Sequence, residues 1–314
     1  MMDGLRRRPR VVAVLLLLVV STAWGATFVV VKHAIAETSV MDFLAWRFTL
    51  AGFLLVALRP RAVVRLGWRG YAQGALLGCV LASGYVAQTY GLRYTPAAVS
   101  GFLTGLQVVF TPLIGWVLLR HRPGARTWAA ILVATTGLAV LSLRGVSFGV
   151  GETLTVASAA LFALQIVGLG RWVSVKDAYG LAAVQLVTVG LVSLVAASPR
   201  GVGLPESAGM WGAVVLTAVA ATAFAFVVQS WAQSHLSATA AAVVFTTEPV
   251  FAALFAWIAG ERLGWAIVVG GVLVVAAMLV LGLGNGVASG REPRATTASA
   301  RAVSEDHEAA RAVV

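Results

Sequence analysis

The sequence predicts an all-α membrane protein, ten transmembrane helices arranged as two inverted five-helix repeats. Three observations predict it. First, 60% of the 314 residues are hydrophobic and only 11% are charged, against about 25% charged residues in soluble domains; mean hydropathy is +0.91. Second, apolar runs recur along the chain to about residue 284, each near the ~20 residues that a spanning helix needs. Third, the fourth and ninth of these runs resemble each other.

The spans are expected as follows. The first covers 11–32. Its start, MMDGLRRRPRVVAVLLLL, imitates a secretory signal, with a basic stretch before an apolar one. Apolarity continues through TFVVV to Lys32, so an uncleaved first helix is expected. The second, 41–58, holds Arg47 and is closed by LRPRAVVRLGWRG, where proline, glycine and arginine interrupt the pattern. The third, 71–90, carries GALLG at 74–78 and the single cysteine, Cys79. One cysteine excludes an intramolecular disulfide and a cysteine-based metal site, and a packing role is expected. The fourth, 96–119, carries GFLTG at 101–105, and both small-residue faces suit close helix packing. RHRPGART separates it from the fifth, 127–143. The sixth is 151–170 and the seventh 180–197, which SPRGVGLPES closes. The eighth, ninth and tenth are 211–233, 238–259 and 265–283. Residues 286–314 are polar, small and mixed in charge; they lack the apolar area to order themselves, and a disordered cytoplasmic tail is expected.

Lysine and arginine set the orientation. Lys32, Arg93, Arg144, Arg200 and Arg262 fall on one side, and Arg47 lies inside a span. The remainder of the 23 basic residues fall on the side of the N-terminus. The excess of basic residues belongs on the cytoplasmic face, so both termini are expected inside a bacterial inner membrane. The formal net charge of +11 follows from this bias and calls for no nucleic acid.

The halves align. At an offset of 141, Gln88 falls on Gln229, Phe110 on Phe251, Trp116 on Trp257 and Gln107 on Glu248. At an offset of 138, Arg47 of the second span falls on Gln185 of the seventh, and Gly52 on Gly190. The repeats are therefore expected at 1–145 and 146–285. Five is odd, so the second unit enters the membrane in the opposite sense, related to the first by a two-fold axis in the membrane plane. Such an axis brings midplane positions toward one centre.

Glu248 lies near the middle of the ninth span, where insertion of an acid costs ~2.5–3.5 kcal/mol. The cost falls if it faces a wet cavity or a partner. Pro249 frees the carbonyl of Phe245, and broken backbone at membrane depth is tolerated where it lines a cavity. Glu248 and Gln107 are thus the central candidates for substrate contact, with Glu248 also able to carry a coupling proton. Arg47 could pair with Glu248, bind a substrate carboxylate, or snorkel to the interface. Gln88, Gln165, Gln185 and Gln229 are amides in apolar helices, suited to substrate or to interhelical bonds. Trp24, Tyr85, Tyr90, Trp116, Trp231 and Trp257 could line a cavity for apolar or aromatic solutes, with Trp24 and Tyr85 the expected cavity residues; for a Trp near a helix end, interface anchoring is the default. His33 and Glu37 share a helical face but lack further metal ligands. GLGNG at 282–286 follows a span and opens no helix, so it is no nucleotide loop.

WGATFVVVKHAI, RFTLAGFLL, GFLTGLQVVFTPLIGWVLLRHRP, LFALQIV and TEPVFAALFAWIAGERL together resemble the drug/metabolite transporter superfamily, in particular its ten-span EamA-type members. The resemblance covers roughly 11–284. It implies a basket of ten helices, a central substrate cavity and alternating access, with export of amino acids, metabolites or drugs. The first half departs from the second: Gln107-Val108 stands for Glu248-Pro249, and RHRP for GERL. A secondary exporter of a small solute, without cofactor and favoured as a monomer, is therefore expected. No Walker A loop points to ATP, so a proton gradient or exchange would drive it. A lipid flippase is the alternative that the same fold could host. An intramembrane enzyme fits less well, since no GxSG serine, HExxH or paired aspartates occur in the spans.

Overall fold

Inside a bilayer no water pairs the backbone, and a helix satisfies its own N–H and C=O groups. The apolar runs accordingly fold as helices. A computed structural model describes residues 2–120, 124–125, 128–129, 132–133, 136–137, 140 and 149–284, and among them the regular structure is helical, with no strand. The helices are α1 (Met2–Glu37), α2 (Val40–Leu58), the short α3 (Pro60–Val64), α4 (Gly67–Tyr94), α5 (Ala97–Gly105) and α6 (Gln107–Leu119). After residue 149 come α7 (Val150–Trp172), α8 (Ala178–Ala197), α9 (Ala208–Ala218), α10 (Ala225–Gln233), α11 (Ala238–Val244), α12 (Glu248–Ile258) and α13 (Trp265–Gly284). Eight stretches among the described residues are long and apolar enough to cross a membrane. They fall on the expected first four spans and on the sixth to ninth. The fifth, 127–143, lies largely outside the described residues, and the tail at 286–314 lies wholly outside them.

Three spans differ from the expectation of one helix each. The fourth is broken at Leu106, between α5 and α6. The ninth is broken by a 3-10 turn, Phe245–Thr247, between α11 and α12. The eighth runs α9, a π-helical segment Val219–Phe224, then α10. Pro249 therefore sits in the first turn of α12, where its missing N–H is one that a helix start leaves unpaired anyway. Pro112 lies within α6, one turn past the actual break. α1 continues to Glu37, beyond the expected end at Lys32, because no breaker intervenes before Ser39. That serine starts α2 by accepting a bond from the Asp42 amide at 3.1 Å.

Glycines let the helices approach closely. A Cβ at Gly74 would lie 2.7 Å from Val184, and one at Gly78 would lie 2.5 Å from Thr188. Both positions of GALLG thus seat α4 on α8. Gly101 meets Ala252 in the same way, at 2.4 Å, joining α5 to α12. The α2–α8 contact is reciprocal: Gly52 faces Val187, and Gly190 faces Thr49. Further packing sets α4 on α7, α6 on α7, and α1 on both α10 and α12. Cys79 does not pack as expected. It is exposed, because GALLG claims the buried face of α4 for glycine and leaves the next position outside. Trp68, Trp116, Trp257 and Trp265 are exposed too, as interface anchors are.

Contacts at the helix ends establish direction. The Lys32 amine donates to the Thr95 carbonyl at 3.0 Å, and the Thr95 hydroxyl donates to Glu152 at 3.3 Å. Glu152 also accepts from the Gly149 amide at 3.0 Å, capping the start of α7. α1 therefore ends where α7 begins, and the two run oppositely. At the other end, Gln233 donates to the Ile166 carbonyl at 2.9 Å, and Gly180 lies against Ala62.

Candidate functional site

The two breaks in the fourth and ninth spans put Gln107 and Glu248 each at the start of the second half-helix. The Gln107 Nε2 donates to Glu248 Oε2 at 3.3 Å, across 141 residues of chain, which is the offset of the internal alignment. Both side chains are buried, at 3% and 4% exposure. Positions aligned at that offset thus touch each other in the buried interior.

The π segment positions two more residues. A π turn shifts the backbone pairing by one residue and re-aims the groups around it. The Ala221 carbonyl accepts from Trp24 Nε1 at 2.8 Å. The Thr222 hydroxyl donates to the Thr217 carbonyl at 2.8 Å and accepts from Arg47 Nε at 2.8 Å. Arg47 is almost fully buried, and its guanidinium lies 5.2 Å from the Phe48 ring centre and 5.1 Å from that of Tyr85, within reach of a cation–π attraction. No Arg47–Glu248 ion pair forms; the one ion pair among the described residues is Lys32–Glu261, at 3.4 Å. Arg47 turns instead to Thr222 and the aromatics, because the π segment presents a hydroxyl at its level.

Four glutamines form a continuous chain. Gln185 donates to the Leu181 carbonyl at 3.1 Å, and Gln165 donates to Gln185 at 2.8 Å. Gln229 donates to both Gln165 and Gln233, at 3.2 and 3.1 Å. The chain ends on backbone carbonyls, which fixes every amide's orientation, and it leaves the Gln229 Oε1 buried without a partner. Gln88 donates to Thr104 at 3.1 Å.

Trp24, Arg47, Tyr85 and Gln88, together with Gln107, Gln165, Gln229 and Glu248, all line one cavity. Its other walls include Thr27, Phe28, Thr104, Phe162 and Phe226, which the sequence did not single out. Thr222 and the π segment also went unnoticed: VAATAF carries no breaker and reads as plain apolar helix. Of the sequence candidates, Gln185 stands behind the cavity rather than on it. The cavity measures about 40 Å³, room for a few waters at 10–15 Å³ each. It holds an acid, a cation, amides and aromatic faces in one buried place. Among the described residues no cluster of three or more His, Cys, Asp or Glu could hold a metal ion.

Comparisons with known proteins bear on what such a cavity is for. The model of the EamA-like transporter family matches twice, over 11–143 and 149–283. An uncharacterized transporter of Archaeoglobus fulgidus is 32% identical over 248 residues, 78% of this chain and 77% of its own length. A probable terminal-alkyne amino-acid exporter of Streptantibioticus cattleyicolor is 31% identical, over 35% of this chain and 38% of its own. One crystal structure superposes with a TM-score of 0.66 at 19% identity, covering 86% of this chain and 96% of the other; that likeness speaks to fold alone.

Proposed function

Because the chain belongs to the EamA-like transporter family, we propose that it is a secondary transporter that exports a small metabolite, amino acid or drug-like solute by alternating access. The observation that carries this reading is the buried polar cavity, in which Gln107 and Glu248 meet. Burying an acid, a guanidinium and several amides in lipid-embedded helices is costly, and a solute pathway gives them a use. At about 40 Å³ the cavity is too small for a metabolite as it stands, so the helices must part to load it. Arg47 and Glu248 suit the carboxylate and ammonium of an amino acid, in keeping with the exporter among the relatives.

The two units are proposed as inverted repeats, 1–145 and 146–285. Support comes from the opposed α1 and α7, from the reciprocal Gly52–Val187 and Gly190–Thr49 contacts, and from the twofold family match. A two-fold axis makes a contact and its exchange partner occur together. The basic bias further supports both termini on the cytoplasmic side, and a bacterial inner membrane is the proposed location. GALLG and GFLTG pack within the chain, which favours a monomer, and Glu248 is proposed to carry the coupling proton.

The test is flux. Proteoliposomes holding the full chain are loaded with a panel of labelled amino acids, nucleosides and amphipathic drugs, with and without an imposed pH gradient. At least one solute class should move, faster with the gradient, and Glu248→Gln should lower that flux at least about a hundredfold while the protein still inserts. Wild-type flux in the variant would remove Glu248 from the mechanism; indifference to the gradient would remove the proton.

A further inference from the structure

The end of the bundle that carries Lys32 is tied across the two halves, and the ties are uneven. α5 starts at Pro96, which has no side-chain acceptor to cap it. Its first two amides, of Ala97 and Ala98, donate instead to the two carboxylate oxygens of Glu261, at 2.9 and 3.2 Å. Glu261 stands just past the end of α12, more than 160 residues away in the chain. Lys32, in the last turns of α1, donates both to the same carboxylate at 3.4 Å and to the Thr95 carbonyl at 3.0 Å. Thr95 reaches on to Glu152 at the start of α7. One node therefore joins α1, α5, α7 and α12. Val31 and Leu92 of the cavity wall are the chain neighbours of Lys32 and Arg93, and Leu92 also lines a second pocket with Lys32 and Glu261.

The equivalent positions at the opposite end are different. Shifted by the internal offset of 141, Pro96 becomes Ser237 and Glu261 becomes Arg120. Ser237 caps α11 by itself, accepting from the Ala240 amide at 3.2 Å. Arg120 is exposed and, as a cation, cannot accept from a helix N-terminus. The second half thus supplies an acceptor that the first half needs, and among the described residues the first half supplies none in return.

We propose that Lys32, Glu261 and the N-terminus of α5 form a one-sided latch that holds the Lys32 end of the transporter shut, with no counterpart at the opposite end among the described residues. The latch rests on the alternating-access reading above. It is more than a surface ion pair, which alone contributes little: opening this end also strips the first two amides of α5 of their acceptor, and Pro96 offers no replacement. The opposite end can open without uncapping α11, since Ser237 travels with its helix. In the proposed orientation the latched end faces outward, so the resting transporter opens toward the cytoplasm, where an exporter loads.

The test measures access rather than flux, so it reads out even if no transported solute is found. In a Cys79→Ser background, the cavity-lining reporters Val31→Cys and Ile166→Cys are introduced singly into the full chain in nanodiscs, and labelling by a water-soluble maleimide is timed. Glu261→Ala and Lys32→Ala should each speed labelling of Val31→Cys about tenfold and should not speed that of Ile166→Cys. Adding Pro96→Ser to Glu261→Ala gives α5 its own cap; it should recover thermal stability while labelling stays fast. The proposal is overturned if Val31→Cys labels at the original rate without Glu261. It is equally overturned if both reporters speed up together, or if Pro96→Ser restores slow labelling, since Glu261 would then be only a helix cap.

Discussion

At the scale of single residues, the polar groups of the cavity are held by partners that the transport chemistry does not itself require. Arg47 is the clearest case. Its Nε donates to the Thr222 hydroxyl at 2.8 Å, and its guanidinium lies over the Phe48 and Tyr85 rings. Thr222→Val should free the guanidinium to swing and raise KM for the transported solute about tenfold, the low end of what a hydrogen bond to a charged group contributes. Thr222→Ser should restore the wild-type KM. Equal KM values in all three proteins would show that Thr222 does not position Arg47. The residues of this layer were partly legible beforehand. A charged or amide side chain inside an apolar run is conspicuous, which is why Arg47, Gln107 and Glu248 stood out. Their partners were less so, because threonine and phenylalanine are ordinary in such runs, and nothing local distinguishes Thr222 from Thr217.

At the scale of elements, the breaks decide where side chains point. The 3-10 turn before Glu248 and the turn at Leu106 aim aligned residues at each other, and the π segment aims the Ala221 carbonyl at Trp24 and the Thr222 hydroxyl at Arg47. Removing one residue from Val219–Phe224, for example by deleting Ala220, should convert the π turn to regular helix. α10 would stay in phase with α9, but the Ala221 carbonyl and the Thr222 hydroxyl would no longer be aimed at Trp24 and Arg47. The expected result is a protein that inserts at normal levels but has lost its flux; a deletion variant that transports normally would show that the π turn is dispensable. Helix existence was readable from run length because that is a local property of composition. The breaks were not. Pro249 marked one of them nearly in place, but Leu106 and VAATAF contain no residue that disfavours a helix. There the tertiary contacts, Gly101 on Ala252 and Trp24 on the Ala221 carbonyl, override local preference.

At the scale of the whole molecule, the proposed near-symmetry would make the site and its breach would set the direction. Gln107 meets Glu248, its counterpart at the offset of 141, and the Gly52–Val187 contact is mirrored by Gly190–Thr49. The departures at Pro96, Ser237, Arg120 and Glu261 bias the two ends differently. The offset of 141 was visible in the residues; the latch was not, because it joins segments that no periodicity relates. The same bundle also carries a built-in ruler. Cys79 is the sole thiol of the chain, it points outward, and it lies near the middle of the 28-residue α4. A fluorophore attached there should sit among the acyl tails, so spin-labelled lipids quench it more strongly when the nitroxide is placed deep in the tail than at the headgroup. Stronger quenching by the shallow label would move the whole helical basket relative to the bilayer assumed here, and would do so without a single engineered cysteine.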